Sequence, residues 1–407
     1  MEFIRKRYLD ELLKWKDKHS IKILTGVRRC GKSTILRQFK KLLLKDKSIN
    51  KSQIISFNFS EESLSTMTYH ELHEAIMKAS NKKHMNYVFL DEVQEVDNFE
   101  KAIISLFENE DYKFDIYITG SNSKMFSEEL ASLFTNRYIR IKCYPFSFKE
   151  YLEFADSTGD LQKRGRYEVF EDFLKYGSLP TIFEVWDDKK MVKTRLQSLI
   201  NDSIRHDIKG RHRLIRPEEF YQVVEYSFEN IGHDFSNRKT SNFLRSNNKT
   251  TTSYPAVRRY MEWLCEAVLF TKVRFFNTKG KKILITAGKY YCVDQGLRNS
   301  YSDFEIVNRG SLLENIVLNE LMIRGYDVYI GKTRSGEIDF VTKKDSQYMY
   351  IQVASKLDKE STKKREYDRL LEINDYFKRL VITEEQVHFT DKSGIETINI
   401  VEWLTKE

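Results

Sequence analysis

Hydrophobic and polar positions divide the chain into stretches of different period. Ile21-Lys-Ile-Leu24, Tyr87-Val-Phe-Leu90 and Asp115-Ile-Tyr-Ile-Thr119 are short apolar runs. Runs of this length and content suit parallel strands covered on both faces. The stretch Thr34-Ile-Leu-Arg-Gln-Phe39 changes to helical spacing. The pattern predicts an α/β fold with a buried parallel sheet in the N-terminal third.

Further along, Pro217 followed by Glu218 and Glu219 opens a helix, since proline and acidic residues suit the first turn. Phe220, Val223, Val224, Ser227 and Phe228 share its inner face. A short helix is expected at 237–244. A third places Val257, Tyr260, Met261, Leu264, Ala267 and Val268 inward and Arg258, Arg259, Glu262 and Glu266 outward. Two strand-like stretches, 270–276 and 283–286, flank Asn277-Thr-Lys-Gly-Lys-Lys282, which reads as a hairpin. Three helices and a basic hairpin make a winged helix-turn-helix plan. After it come an amphipathic helix at 310–321, strands at 326–330, 337–341 and 348–353, and a charged helix.

Charge sharpens this division. The net charge is +8, but residues 205–298 alone carry 18 Lys/Arg against 9 Asp/Glu. The positive excess lies in this middle segment and points to an anionic partner there, duplex DNA or a protein. Arg258, Arg259, Lys279, Lys281 and Lys282 are the natural phosphate contacts. Cys30, Cys143, Cys265 and Cys292 are scattered, without a CxxC pair, so neither disulfides nor a zinc site is expected. The first residues lack the apolar core of a secretory signal, and no run of 18 apolar residues occurs. The expectation is a cytoplasmic protein without membrane spans.

The chemistry begins at Gly26-Val-Arg-Arg-Cys-Gly31-Lys32-Ser33, set between a strand and a helix. Glycines in such a loop let backbone N–H groups wrap phosphates, and the helix N-terminus adds its positive end. Gly26, Arg28, Arg29, Cys30, Gly31, Lys32, Ser33 and Thr34 are the predicted nucleotide contacts. Lys32 would reach the β- and γ-phosphates of ATP, and the Ser33 hydroxyl would hold Mg²⁺. The apolar strand 87–90 delivers Asp91 and Glu92 to its C-terminal end. Asp91 would hold magnesium through water, and Glu92 would polarise the attacking water.

These residues resemble a family. GVRRCGKST, FLDEVQEV, TGSNS, the Arg137 segment, PFSFKEY, Tyr176-Gly-Ser-Leu-Pro180, Lys289-Tyr-Tyr-Cys-Val-Asp294 and Gly336-Glu-Ile-Asp339-Phe are similar to bacterial and archaeal AAA-type ATPases. The resemblance implies an additional-strand P-loop core (1–145), a helical lid (146–212), a winged helix (213–302) and a nuclease-like α/β domain (303–407). It implies Asn122, with Ser121 second, as the polar sensor of the γ-phosphate. It also implies Arg137 as an arginine acting on a neighbouring subunit in a homo-oligomer. Asn136 stands where the family usually has glycine, and Ser178 where a second glycine is usual.

The C-terminal pattern resembles the restriction-endonuclease-like core, in which a helix Glu, a strand Asp and a Glu-x-Lys hold Mg²⁺ and activate water. Glu314 and Asp339 match the first two positions. The third reads Gln352-Val-Ala354, lacking both the carboxylate and the ammonium, so this site is expected to be degenerate. Lys356 could reach in from the same face, since alternate residues of an extended strand share one. The expectation is a magnesium-dependent ATPase working as a switch or motor on DNA or a partner protein. An ATP-regulated nuclease and an ATP-binding regulator without turnover are the alternatives.

Overall fold

A computed structural model of the chain describes residues 3–406 apart from 62, 63, 65, 121–133, 135, 211, 249, 250, 358 and 359. The chain forms two compact units, Met1–Tyr144 and Pro145–Glu407.

The first unit contains α1 (Lys6–Trp15), β1 (Ile21–Thr25), α2 (Lys32–Leu43), β2 (Ile54–Asn58) and α3 (Tyr69–Ala79), then β3 (Met85–Asp91), α4 (Phe99–Phe107), β4 (Lys113–Thr119) and β5 (Tyr138–Lys142). The strands form one parallel sheet in the order β2-β3-β4-β1-β5. β4 thus lies between β1, which leads into the glycine loop, and β3, which ends at Asp91. This is the inserted strand expected from the sequence. Every residue of β1 is buried, and Val88, Leu90, Ile116 and Ile118 pack in one core with Leu72 and Ile76 of α3 and Ile103 and Leu106 of α4.

One polar pair crosses that interior. Lys22 of β1 and Asp115 of β4, side chains 0% and 1% exposed, form a salt bridge inside the sheet. Asp115 Oδ2 also accepts from Tyr117 Oη at 2.8 Å and from the Asp17 N–H at 2.9 Å, and Lys22 Nζ donates to the Lys18 carbonyl at 2.8 Å. Burial lowers the pKa of the Lys22 ammonium and raises that of the Asp115 carboxyl, each acting against the attraction of its partner.

The second unit begins with α5 (Phe148–Ser157), α6 (Asp160–Arg164), α7 (Arg166–Tyr176) and α8 (Lys189–Ser203). Then come α9 (Pro217–Glu229), α10 (Asn237–Asn248), α11 (Tyr254–Glu266), β6 (Phe270–Asn277), β7 (Lys282–Cys292) and α12 (Gln295–Asn299). The chain closes with α13 (Arg309–Ile323), β8 (Asp327–Lys332), β9 (Glu337–Lys344), β10 (Gln347–Ala354), α14 (Glu360–Leu371), β11 (Lys378–Thr383), β12 (His388–Thr390), β13 (Ile395–Asn399) and α15 (Ile400–Thr405). The buried faces of α9 and α11 include Phe220, Val223, Val224, Ser227 and Phe228, then Val257, Tyr260, Met261 and Leu264. Ala267 and Val268, read onto the same face, instead follow the end of α11 at Glu266, with Val268 at φ +57°.

Two features differ from expectation. The hairpin β6–β7 is joined to the C-terminal strands in one eight-stranded sheet, β12-β13-β11-β10-β9-β8-β6-β7. β6 pairs in parallel with β8, Phe275 opposite Ile330, and Phe276 stacks near Tyr329 and Tyr348. A backbone ladder thus crosses the boundary expected near residue 302. Second, β7 continues to Cys292, well past 286. Pairing shifts from Phe275–Leu284 to Arg274–Gly288, and this irregularity hides the strand from period-two reading.

The stretch Tyr176-Gly-Ser-Leu-Pro180 meets the end of β7. Asp294 accepts the N–H of Ser178 at 2.7 Å and of Gly296 at 2.9 Å. Gly177 has φ +77°, and a Cβ there would lie 2.0 Å from Asp294 Oδ1. Asn299 donates to the carbonyls of Leu174 and Lys175. Among the described residues, no helix is long and apolar enough to cross a membrane.

The buried pair makes a prediction. Lys22→Met strands a carboxylate in the sheet and is expected to cost about 3–5 kcal/mol in urea unfolding, whereas Lys22→Met with Asp115→Leu should recover most of that loss.

Candidate nucleotide site

The loop after β1 owes its shape to residues that only some side chains allow. A Cβ at Gly26 would lie 2.1 Å from the Cys143 carbonyl oxygen. Arg29 has φ +61°, and Gly31, at the N-cap of α2, has φ +99°. Lys32 opens α2, is buried, and folds back so that Nζ donates to the carbonyls of Gly26 at 3.1 Å and Val27 at 3.3 Å. The ammonium is thus held inside the loop. Burial opposes its charge, but Cys30, Glu92 and Cys143 outweigh this, and its pKa is raised. The loop runs directly into the N-terminus of α2, an arrangement that favours a phosphate.

The acidic side of the site is organised around one oxygen. Asp91 Oδ1 accepts from Ser33 Oγ at 3.0 Å and from Thr119 Oγ1. Thr119 Oγ1 in turn accepts the Glu92 N–H at 3.0 Å. Glu92 has φ +55°, and its Oε2 accepts from Gln94 Nε2 at 2.5 Å. Lys32, Ser33, Asp91 and Glu92 therefore meet at the C-terminal ends of β1 and β3. Arg28 and Thr34 are half-buried, Arg29 is exposed and Cys30 is fully buried. Ser121 and Asn122 lie outside the described residues.

Arg137 is placed elsewhere. Its carbonyl accepts the N–H of Ile21 at the start of β1, and its guanidinium pairs with Glu108 at 2.6 Å. It lies at the opposite end of the sheet from the glycine loop, roughly 16 Å away along β1 at about 3.3 Å per residue. Asn136, the departure from the usual glycine, has φ +61°, a conformation that asparagine tolerates better than most residues.

A family profile described as an AAA domain matches residues 18–152. Two profiles of domains of unknown function, DUF8612 and DUF4143, match residues 167–306 and 309–403. An uncharacterized protein of Haemophilus influenzae is 34% identical over 404 residues, covering 98% of each chain. An uncharacterized protein of Methanocaldococcus jannaschii is 30% identical over 357 residues, covering 86% of this chain and 77% of its own. The chain belongs to the family of these two proteins. The solved Walker-type ATPase of Pyrococcus abyssi has a similar fold, with TM-score 0.51 and 14% identity over 74% of this chain and 96% of that one. The chain thus carries an AAA domain at residues 18–152, and its fold is similar to that of this ATPase.

Three residues of the candidate nucleotide site escaped sequence reading. Thr119 and Gln94 join Asp91 and Glu92, and Arg5 braces the loop. Arg5 is buried, and its Nη1 donates to the carbonyls of Cys30 at 3.1 Å and Tyr144 at 2.8 Å. No motif marks Arg5, which precedes α1 among other basic residues.

The remaining predicted residues fall in the second unit, in separate groups. Arg258 pairs with Glu262 at 2.9 Å. Arg259 sits near Trp263 and, with His212, Arg213, Arg216 and Tyr260, lines a cleft of about 720 Å³. His212 stacks on Trp263 with centroids 4.3 Å apart. Lys279 and Lys281 line another cleft, of about 630 Å³. Lys281 lies 3.6 Å from Asp375 and over the rings of Tyr348 and Phe377, so it is docked on the sheet. Lys282 is exposed at the start of β7.

The nuclease-like positions form a buried polar cluster. Gln352 Oε1 accepts the Asp339 N–H at 2.7 Å, and its Nε2 donates to Glu366. Asp339 Oδ2 accepts the Val353 N–H at 2.8 Å, and Glu314 Oε2 accepts from Tyr291 Oη at 3.0 Å. Burial pushes the pKa of both Glu314 and Asp339 up. Lys356 is exposed beyond the end of β10, whereas Lys289 of β7 reaches the cluster, 2.9 Å from Glu337. Lys289, Glu337 and Glu366 were missed at this site because each comes from a different element.

Arg5→Ala removes a charge-assisted bond to the loop carbonyl. A fluorescent ATP analogue should bind it about tenfold more weakly in equilibrium titration, matching the ~1.5 kcal/mol such a bond contributes.

Proposed function

We propose that the protein hydrolyses ATP with magnesium at the edge of the sheet formed by Asp91 and Glu92. One observation supports this above others: Asp91 Oδ1 is shared by Ser33 and Thr119, and the following Glu92 is held by Gln94. Lys32 and the loop N–H groups bind the β- and γ-phosphates. Ser33 and Asp91 are hard oxygen donors 3.0 Å apart, and they fit magnesium, Ser33 directly and Asp91 through water. The ion would neutralise charge on the phosphate oxygens. Glu92 accepts a proton from the attacking water, while Thr119 fixes its backbone. Asn122 serves as the γ-phosphate sensor. Arg137, at the far end of its own sheet, acts on the site of a neighbouring copy.

ATP turnover then drives a switch or motor whose partner is anionic, with duplex DNA the leading candidate. The cleft lined by Arg213, Arg216 and Arg259 favours this reading, because three guanidinium groups gather there in the segment of highest positive charge. Lys281 contributes less, being engaged with Asp375.

Glu92→Gln should retain ATP binding and lose phosphate release by about 10²–10⁴-fold. Release kept in Glu92→Gln would exclude Glu92 as the base, and an unsubstituted chain that binds ATP without releasing phosphate would be a regulator that uses ATP only as a ligand. Arg213→Ala with Arg259→Ala should weaken DNA binding and lower the slope of log affinity against log salt by about two. Affinity indifferent to salt would exclude DNA as the partner of this cleft.

A further inference from the structure

The carboxylate cluster of the second unit contains a cation of its own. In the nuclease arrangement that Glu314 and Asp339 resemble, a divalent metal balances the carboxylates, and a lysine two residues after the third ligand faces the scissile phosphate. Ala354 stands at that lysine position, and Gln352 at the third ligand. Gln352 turns its amide nitrogen toward Glu366 and its oxygen to the Asp339 N–H. Both ends of this side chain are thus engaged by protein groups. One oxygen of Asp339 and one of Glu314 are likewise engaged, by Val353 and Tyr291. Among the described residues, no three His, Cys, Asp or Glu side chains converge on a point that could hold a metal ion.

The charges close without one. Lys289 lies 2.9 Å from Glu337 and interacts electrostatically with Glu314 and Asp339. Lys332 pairs with Glu337, and Arg365 and Arg369 pair with Glu366 at 2.7 and 3.4 Å. Four carboxylates, Glu314, Glu337, Asp339 and Glu366, thus face four cations. A divalent ion entering among the carboxylates would meet the Lys289 ammonium already there.

We infer that Lys289 is the resident cation of this cluster, standing where a nuclease would hold its metal, and that the second unit is a non-cleaving, metal-independent scaffold. Lys289 comes from the part of β7 that the irregularity carries past 286. The hairpin of the basic middle segment therefore completes a site whose other members come from α13, β9, β10 and α14. Loss of Glu-x-Lys and capture of the cluster by a lysine from another strand are two parts of one change. The inference is independent of the ATPase reading, since none of these residues belongs to the nucleotide site.

The test uses the full chain without nucleotide, carrying Ser33→Ala and Asp91→Asn to remove the oxygen donors near the glycine loop. Mn²⁺ is titrated by calorimetry, and melting is followed with and without Mn²⁺ at about 1 mM, a level at which a site of micromolar affinity would be saturated. The chain with Lys289 intact should show no binding heat and no shift in Tm, and Lys289→Arg should behave the same way. Lys289→Ala should melt lower and recover part of the loss when Mn²⁺ is added. Binding heat in the Lys289 chain that disappears on Glu314→Gln would overturn the inference. So would a folded Lys289→Ala chain indifferent to Mn²⁺, or Mn²⁺-dependent cleavage of plasmid DNA lost in Asp339→Ala. Should Lys289→Ala fail to fold, the titration of the Lys289 chain, with Glu314→Gln as its control, still decides.

Discussion

A single carboxylate oxygen, Asp91 Oδ1, sets the geometry of the nucleotide site. It receives hydroxyls from α2 and β4, and it sits at the end of β3. The contact with β4 exists because that strand is inserted between β1 and β3. Without the inserted strand, Thr119 would be absent from the site and the Glu92 N–H would lose its acceptor. Lys22 and Asp115 join β1 to the inserted strand through a specific polar contact in an otherwise apolar layer. A pairing that separated the two charges would leave each of them buried without its partner, which is strongly unfavourable.

Much of the first unit was legible because its chemistry is local in sequence. The loop 26–33 and the pair 91–92 each carry their own strand, so the motif and its placement are read together. Arg5 could not be found this way, as its partners are the carbonyls of Cys30 and Tyr144, 25 and 139 residues away. Thr119 was read as the end of a strand, and only the sheet order shows that this end reaches Asp91. The usual glycine before Arg137 is replaced by Asn136, and the positive φ explains why the replacement is tolerated.

The second unit was legible in its elements and less so in their assembly. The helix faces at 217–228 and 257–264 follow from spacing alone. That the hairpin after them would join the C-terminal sheet does not, because strand pairing across 50 residues leaves no periodic trace. The same distance hid the polar cluster, whose members come from β7, α13, β9, β10 and α14. Losses at Gln352 and Ala354 were visible, whereas the lysine that accompanies them became visible only in three dimensions.

The link between Ser178 and Asp294 bears on how the chain is made. The helices before residue 178 bury Phe170, Phe173 and Leu174, and they hydrogen-bond to residues 295–299. The sheet of the first unit can close as soon as β5 has left the ribosome. The end of α7 must wait for another 120 residues or so, about 6–24 seconds at ordinary rates of synthesis. During that interval α5 and α7 can already pack together through Phe148, Phe170 and Phe173, and only the end of α7 that meets residues 295–299 is left without its partner.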